Sequence, residues 1–480
     1  MKIENINITD SIKAAKKQVD EDTSLSPSMR STFELLILII NLLVNKIGLN
    51  SSNSSIPPSQ DPNRDKGKKK SKTRKDKGKK RKPGAQKGHD GSTLTKSDSP
   101  TEVEIIEIDR RTIPPGKYKE VGFDSRQVFD VEISLKVIEY RAQILEDKNG
   151  DQYVAEFPEG VTKAVQYGNE VKSQAVYMSI FQLIPLARII DFFKQQAGLL
   201  VSKGSISNLK KLAYKKLEGI GFKAWVSAKL LTSEVNHADE TGINVNGSRI
   251  WLHSLSNDKY VLYHPDVKRG KEAMDRMGIL EKYGGILCHD HWKPYYKFKN
   301  FLHSLCNAHH LRELERAYEQ DKQTWAKKLS DLLTEINDLM IENNKDVLSK
   351  SEIKAYQQRY RTILTKGKKE CPEPKKIKGV KGRIKKSKSR NLLERLIEYE
   401  EDTLRFMKDS RVPFTNNQGE NDLRMTKVQQ KISGCFRTME GAEEFSLIRS
   451  YIVTARKNGM GASEAIRVLL QGKLPSFMLK

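Results

Sequence analysis

The sequence predicts an α+β protein of several domains, whose core is a mixed five-stranded sheet flanked by helices. Three observations predict this class. The chain of 480 residues is too long for one average domain. Residues 229–310 hold short segments with the composition and alternation of strands. Residues 311–410 are polar with a helical pattern, which predicts a large helical insertion broken by a basic loop that contains Pro and Gly.

Residues 1–50 contain one predicted helix, over residues 27–47, with Ser26 or Ser28 as its N-cap. Apolar residues recur along it at three- and four-residue steps, as in a coiled-coil seam, namely Phe33, Leu36, Ile40, Leu43 and Ile47. Two alternatives stay open, because the seam fits either oligomerisation or packing of the helix on its own chain. The apolar run is shorter than the ~20 residues of a membrane span, so no membrane association is expected.

Residues 51–100 are predicted to form a disordered basic arm, because they contain almost no large apolar residues. Between residues 64 and 87, fourteen Lys and Arg residues stand against two Asp residues. Such a stretch favours contact with DNA phosphates, and the alternative is a solubilising linker. The candidate contacts are Lys80, Arg81 and Lys82.

Two further segments precede the core. Residues 101–165 alternate in strand fashion, which predicts a small β-rich module. Residues 166–228 are predicted to be helical, with a helix, a Gly-containing turn and a second helix that begins at Ser202 or Ser205. This pattern is typical of a helix-turn-helix, although helical hairpins also serve as packing elements. The candidate DNA contacts are Lys210 and Lys211.

The core segment predicts three strands at SEVNHAD, RIWLHSL and KYVLYH, a helix from about Gly270 to Lys282, and strands at GGILCHD and FLHSLC. A long helix then begins near Ala308. Three antiparallel strands, a helix and a further strand is the order of the RNase H-like fold. Residues 411–480 are predicted to complete this core with one long helix and the C-terminal helices.

Two aspartates close predicted strands. Asp239 ends the first strand of the core, and Asp290 ends the strand GGILCHD. If the first and fourth strands lie side by side, both carboxylates meet at one edge of the sheet, whereas Glu240 faces the other way. Cleavage of phosphodiesters by two metal ions needs carboxylates that hold the ions about 3.5–4 Å apart. A lone Asp at a strand end is as often a turn former or a helix cap.

Glu420 begins a predicted helix and has two interpretations. Asn417 and Glu420 have the spacing of a capping box, which needs no chemistry. Alternatively, Glu420 is a metal ligand beside bound DNA, because three cations follow it at steps of four, seven and eleven on the same helical face. These candidate DNA contacts are Arg424, Lys427 and Lys431.

The segments HADETG, CHDHWKPYY and PFTNNQGENDLRMTKVQQKISGCFR resemble the catalytic blocks of DDE transposases, most of all those of the insertion-sequence sixty-six family. The segments NSSNSSIPPSQDP and RKPGAQKGHDG are similar to the N-terminal signature of that family. The resemblance implies that Asp239, Asp290 and Glu420 are the catalytic and metal-binding residues. It also implies a sheet that carries both aspartates, a helical insertion before the glutamate, and binding of transposon ends.

The sequence departs from the family pattern in two places. The family usually has a zinc-binding module after the arm, but residues 101–165 contain no Cys or His, so this segment is held by its own core or is degenerate. Other DDE groups have an Arg four residues before the glutamate, where this chain has Asn416. Lys427, seven residues after the glutamate, is present.

Cys and His residues crowd around Asp290, and Cys306 and His309 have the spacing of metal ligands. Three interpretations stay open: a zinc site, a structural support for the core like the C-x-x-H element of several DDE families, or neither. Structural support is the preferred one, so Cys306 and His309 are expected to support the core and zinc is not expected as a cofactor. The expected metal is Mg²⁺, with Mn²⁺ as a substitute.

The whole pattern predicts a transposase that cuts transposon ends and joins their 3′-OH groups to target DNA. The net charge of +25 and the pI of about 9.6 favour a polyanionic partner, here double-stranded DNA. The four cysteines form no C-x-x-C pair, so we expect a cytoplasmic, nucleoid-associated protein, acting as a homodimer or higher oligomer on DNA. The alternatives are an RNase H-like nuclease without strand transfer and a non-catalytic DNA-binding regulator.

Overall fold

The computed structural model describes residues 2–3, 6–22, 24–47, 50, 54, 61, 94–374, 384 and 386–479. Most of the predicted basic arm, including Lys80, Arg81 and Lys82, lies outside these residues. In the described part of the chain, no helix combines the length and the apolar character that a membrane span requires.

The N-terminal segment is a short antiparallel pair, β1 (Lys2–Ile3) and β2 (Ile6–Asn7), followed by helices α1 (Ile8–Glu21) and α2 (Pro27–Ile47). The predicted bounds of α2 are confirmed. Ser26 is its N-cap, because its side-chain oxygen accepts from the Met29 N–H at 3.3 Å. The seam residues of α2 whose side chains the structure describes are all exposed, namely Phe33, Leu36, Ile40 and Leu43.

Residues 101–165 differ from the predicted β-rich module. Their only strands are β3 (Ile144–Glu146) and β4 (Gln152–Val154), which pair antiparallel. Large apolar side chains of this segment are exposed, with Val121 at 94% and Val128 at 93%. Alternation alone does not form a sheet, because a strand face needs a second layer to bury it, and the described chain provides none here.

Helices α3 (Asn169–Val176), α4 (Leu186–Ala197), α5 (Lys203–Gly219) and α6 (Phe222–Leu231) precede the sheet, and a single π-helical turn follows α3. The predicted succession of a helix, a Gly-containing turn and a second helix is present, in α4 and α5. Gly198 ends α4 with a φ of 62°, in the left-handed region that favours glycine. Ser202 begins α5, and its side chain accepts from the Ser205 N–H at 3.0 Å.

The central sheet has the strands β5 (Val235–Val245), β6 (Ser248–Ser256), β7 (Val261–Asp266), β8 (Ile286–His289) and β9 (Leu302–Leu305). Helix α7 (Lys271–Met277) connects β7 to β8. The order is β7-β6-β5-β8-β9, with β5, β6 and β7 antiparallel and with β8 parallel to both β5 and β9. The predicted mixed five-stranded sheet is therefore confirmed. Gly285 permits the approach of β8 to β5, because a Cβ there would lie 2.5 Å from the Glu234 carbonyl oxygen.

The helical insertion consists of α8 (Asn307–Glu319), α9 (Thr324–Glu342), α10 (Lys350–Glu370), α11 (Lys388–Glu398) and the short α12 (Glu400–Leu404). It has its own apolar core, in which Trp325, Leu333, Tyr360 and Leu393 are buried. Residues 375–383 and 385 of the predicted basic loop lie outside the described residues. This core extends onto the sheet, because Ile286 and Cys288 of β8 belong to it and α12 packs on β9.

Helices α13 (Asn417–Ser433), α14 (Met439–Lys457) and α15 (Ala462–Leu470) close the fold. Helix α13 packs on β5 and β6, and α14 packs on β7 and α5. The core between the sheet and these helices includes Leu252, Leu423, Ile448 and Tyr451. The last helix, α15, packs on α3, α5 and α14, and α13 packs on the strand that carries Asp239.

Candidate active site

Asp239 and Asp290 occupy matching positions on neighbouring parallel strands. His237 of β5 pairs with Cys288 of β8, and the two aspartates each follow two residues later. Strand β8 ends at His289, whereas β5 continues beyond Asp239 to Val245 with β6 as its partner. The prediction that Asp239 ends its strand is therefore wrong, but the predicted neighbourhood of the two strands is confirmed.

Both aspartates are half-buried, and their carboxylates influence each other. Burial raises the pKa of Asp239 to about 8, and the charges of Glu240 and Asp290 add to this rise. Burial also raises the pKa of Asp290 to about 6, with Glu240 as the next cause. Within the described residues, neither carboxylate forms a salt bridge; each accepts one backbone N–H, from Glu240 at 2.9 Å and from Trp292 at 3.0 Å. Neither carboxylate thus contacts a cation of the described chain directly, although the charges of His309 and Arg269 oppose the rise at Asp290.

Glu420 lies on the first turn of α13, and the structure removes the capping interpretation. The N-cap is Asn416 and not Asn417, and its side chain makes no capping hydrogen bond. The Glu420 N–H donates to the Asn416 carbonyl at 3.2 Å, so Glu420 is the fourth helical residue and no capping box forms. The charge of Glu420 is the smallest of the named causes that raise the pKa of Asp239, after burial, Glu240 and Asp290.

Asn416 fixes the start of α13 against β5. Its side-chain nitrogen donates to the Ala238 carbonyl at 2.9 Å, and its side-chain oxygen lies 2.8 Å from His237 Nδ1. Its backbone N–H donates to Cys306 Sγ at 3.1 Å. Asn416 is 2% exposed, so these hydrogen bonds are shielded from water. The residue that departs from other DDE groups thus links the start of α13 to β5 and to Cys306.

Cys306 and His309 lie at the start of α8 and face Glu420. Cys306 is the N-cap residue of α8. His309 Nδ1 lies 3.6 Å from Glu420 Oε1, and an Arg312 guanidinium nitrogen lies 3.6 Å from the same oxygen. Burial lowers the pKa of His309, which favours its neutral form. The C-x-x-H element therefore adjoins the glutamate directly.

The other Cys and His residues around Asp290 are neutral and packed. Burial lowers the pKa of His289 to about 3, and its Nε2 lies 2.9 Å from His303 Nδ1. Burial raises the pKa of Cys288 to about 12. Burial likewise lowers the pKa of His291 to about 3. These residues form part of the packing beneath Asp290.

Sequence reasoning missed an ion pair with a buried carboxylate beside the aspartates. The Glu240 side chain is 2% exposed and accepts from Arg269 Nε at 3.1 Å and Nη2 at 2.7 Å. The Tyr295 hydroxyl donates to its other oxygen at 2.8 Å. The Arg269 guanidinium lies 4.5 Å and 4.3 Å from the ring centroids of Trp251 and Trp292. The two residues of the pair are 29 positions apart, so no local spacing signals it.

The predicted DNA contacts of α13 lie on one exposed surface. Arg424, Lys427 and Lys431 are exposed, while Leu423 and Thr426 of the same helix are buried. This surface continues from the turn that carries Glu420. The two predicted DNA contacts of α5 differ in exposure, since Lys211 is exposed and Lys210 is half-buried. Burial lowers the pKa of Lys210, and the charge of Glu444 opposes this shift.

Comparison with known families identifies the chain. A model of the transposase IS66 family matches residues 164–444, which include every acidic residue of the site. The match places the chain among the transposases. Because it covers more than half of the sequence, the chain belongs to the transposase IS66 family, and the resemblance predicted from the sequence blocks is confirmed. A family of unknown function (DUF6444) matches residues 7–95. No curated protein matches the chain.

Proposed function

We propose that this protein is a DDE-type DNA transposase in which Asp239, Asp290 and Glu420 hold two Mg²⁺ ions in an RNase H-like core. The observation that carries the proposal is the parallel register of β5 and β8, which sets the two aspartates side by side. The sheet order, with three antiparallel strands followed by two parallel ones, supports the RNase H-like assignment.

The residues present fit divalent metal ions. Two half-buried carboxylates with raised pKa values, and with no salt bridge to any residue that the structure describes, favour a bound dication, because the ion offsets the cost of their charge. Carboxylate oxygens are the ligands that Mg²⁺ prefers, and Mn²⁺ accepts the same set. When bound, the ions supply the charge that activates water and stabilises the phosphoryl transition state.

The protein's own residues position the reacting groups. The sheet holds Asp239 within β5 and Asp290 directly after β8, and Asn416 fixes the turn that carries Glu420. The exposed cations of α13 bind the phosphates of transposon ends and target DNA, which places the scissile phosphate at the acidic cluster. Catalysis by positioning and electrostatic stabilisation suits both cleavage of the transposon ends and attack of the freed 3′-OH on target DNA.

Further DNA contacts come from other segments. Lys211 on the exposed side of α5 contacts the transposon end together with Lys210. Lys80, Arg81 and Lys82 of the arm add contacts that do not depend on DNA sequence. The exposed seam of α2 joins two copies, so that both ends of an element are held in one complex.

The test is cleavage and joining of the element's own ends by the full-length protein with Mg²⁺. Asp239→Asn and Glu420→Gln are expected to lose both activities while binding the ends. Glu440→Gln is the matched control, because Glu440 is an exposed acid in the first turn of the neighbouring helix α14. Undiminished joining by either site variant would refute the proposal. Cleavage without joining by the unaltered protein would instead favour a nuclease.

A further inference from the structure

Three potential ligand atoms converge beside the aspartates. The Sγ of Cys306, a ring nitrogen of His309 and a carboxylate oxygen of Glu420 all lie within 4.8 Å of one another. His309 Nδ1 and Glu420 Oε1 are buried atoms, and neither has a hydrogen-bond partner within the part of the chain that the structure describes. Buried polar atoms without partners are rare in folded proteins, so this pair calls for a bound group.

The distance between these atoms favours an ion over a hydrogen bond. His309 Nδ1 and Glu420 Oε1 are 3.6 Å apart, beyond the usual N–H···O range. Two N or O ligands at about 2.1 Å from a tetrahedral ion are about 3.4 Å apart. The observed separation therefore matches two ligands of one ion.

The Cys306 thiol has its pKa raised by burial, and backbone hydrogen bonds oppose this rise, so a bound cation is needed to favour the thiolate. Cys306 is 3% exposed, it lies at the N-terminus of α8, and its sulfur accepts the Asn416 N–H at 3.1 Å. Backbone N–H donors and a helix N-terminus both stabilise negative charge on sulfur. A set of one thiolate, one imidazole and one carboxylate suits zinc, whereas Mg²⁺ takes oxygen ligands.

We propose that Cys306, His309 and Glu420 bind one Zn²⁺ ion with water as the fourth ligand, and that this ion withdraws Glu420 from Asp239 and Asp290. Zinc then acts as an inhibitor that competes for a single residue. The inhibitory half of the proposal rests on the proposed function, because it requires Glu420 to serve Mg²⁺. The binding half rests only on the three ligand atoms.

The rival explanation is a loose ion cluster without metal. Arg312 lies 3.6 Å from Glu420 Oε1, so a protonated His309 and Arg312 together could balance the carboxylate. That cluster needs no thiolate. The two explanations therefore differ in one testable respect, which is whether the Cys306 sulfur binds a metal ion.

Cobalt spectroscopy tests the binding half. Co²⁺ replaces Zn²⁺ and gives a near-ultraviolet charge-transfer band only when a thiolate is a ligand. The full-length protein would carry Cys435→Ser, because Cys435 is exposed and could bind metal by itself. We expect one equivalent of Co²⁺ to give this band with the visible bands of a four-coordinate ion, and Zn²⁺ to displace it.

Ligand variants then identify the sulfur. Cys306→Ser is expected to lose the charge-transfer band and to bind Zn²⁺ at least about tenfold more weakly. His309→Gln, whose side chain is 28% exposed, provides a second variant in case Cys306→Ser fails to fold. Cys371→Ser is the matched control, since Cys371 is also buried but lies in the core of the helical insertion. The absence of the band, or its persistence in both ligand variants, would overturn the proposal.

Zinc inhibition tests the other half. Zn²⁺ added to Mg²⁺-dependent end cleavage should inhibit the unaltered protein at least about tenfold more strongly than Cys306→Ser, with each rate compared to its own zinc-free value. Equal inhibition of both proteins would refute the competition for Glu420. If no cleavage occurs at all, the proposed function fails, while the cobalt spectrum still decides whether the zinc site exists.

Discussion

Asp239 and Asp290 lie side by side because each follows, by two residues, a paired position of the parallel strands β5 and β8. Strand β8 stops before Asp290, whereas β5 continues past Asp239, so one carboxylate projects from a strand and the other from a loop. The site therefore combines a position within a strand with one in the loop that follows a strand. Their proximity and burial make the stability of the folded protein depend on pH.

Asp239→Asn should stabilise the metal-free protein at alkaline pH. The pKa of Asp239 is about 8 in the folded protein, above its ordinary value of 3.8, so the folded state binds the extra proton between these pH values. The contribution of this carboxyl group to the free energy of unfolding is fully present at low pH, and it is lost as pH rises through that range. We expect a gain on the order of 2 kcal/mol for the variant at pH 8, and almost none near pH 4.

Urea unfolding in EDTA at several pH values measures this effect. Mg²⁺ should stabilise the unaltered protein at pH 8 and have a much smaller effect on Asp239→Asn. Asp258→Asn serves as control, because Asp258 is exposed in the turn between β6 and β7. A variant that is less stable than the unaltered protein at pH 8 in EDTA would contradict the buried charge at Asp239.

Asn416→Ala should impair cleavage more than it impairs folding. The change removes the hydrogen bonds to Ala238 and His237 and leaves buried groups unpaired, at a cost of about 1–3 kcal/mol. It also frees the turn that holds Glu420. Asn417→Ala is the matched control, because Asn417 is the exposed neighbour. Urea unfolding and cleavage rates per folded molecule give the result, and equal rates for the two variants would show that Asn416 does not position the site.

The strands of the core could be predicted because short apolar runs end in polar residues, and the parallel pairing of β5 with β8 follows from the order of elements. The role of Asn416 could not be predicted in this way. Its hydrogen bond to Ala238 spans 178 positions, whereas the local pattern placed the helix cap at the next residue, Asn417. The same limit applies to residues 101–165, where alternation predicts strands but says nothing about a second layer to cover them.

Arg269→Ala should destabilise the protein strongly, because it leaves the Glu240 carboxylate buried and unpaired. Loss of one partner of a buried pair costs about 3–5 kcal/mol; Arg269 is 40% exposed, so the lower end of this range is expected. Adding Glu240→Gln to Arg269→Ala should restore part of the loss. Urea unfolding of both single variants and the double variant measures the coupling, and simple additivity would rule out a net interaction.

Arg424→Ala and Lys427→Ala should weaken DNA binding without a change in stability. Both side chains are exposed on the surface of α13 that continues from Glu420. Each lost phosphate contact should reduce the slope of log affinity against log salt by about 0.9. Lys366→Ala is the control, because Lys366 is an exposed cation on α10 of the insertion. Binding of transposon ends over a series of salt concentrations gives the slope, and an unchanged slope would remove α13 from the DNA interface.

Leu36→Glu with Ile40→Glu should convert the protein to a monomer if α2 joins two copies. Both side chains are about half exposed, at 48% and 43%. In a single chain, a glutamate at either position therefore stays hydrated and costs little folding stability. In a paired seam the same charges would face apolar residues and each other, which opposes association. Ser31→Glu and Asn41→Glu together form the control, because they add the same charge to exposed positions outside the seam. Sedimentation velocity gives the outcome. Loss of the oligomer in both proteins would point to charge alone, and its retention in the seam variant would show that α2 does not join the copies.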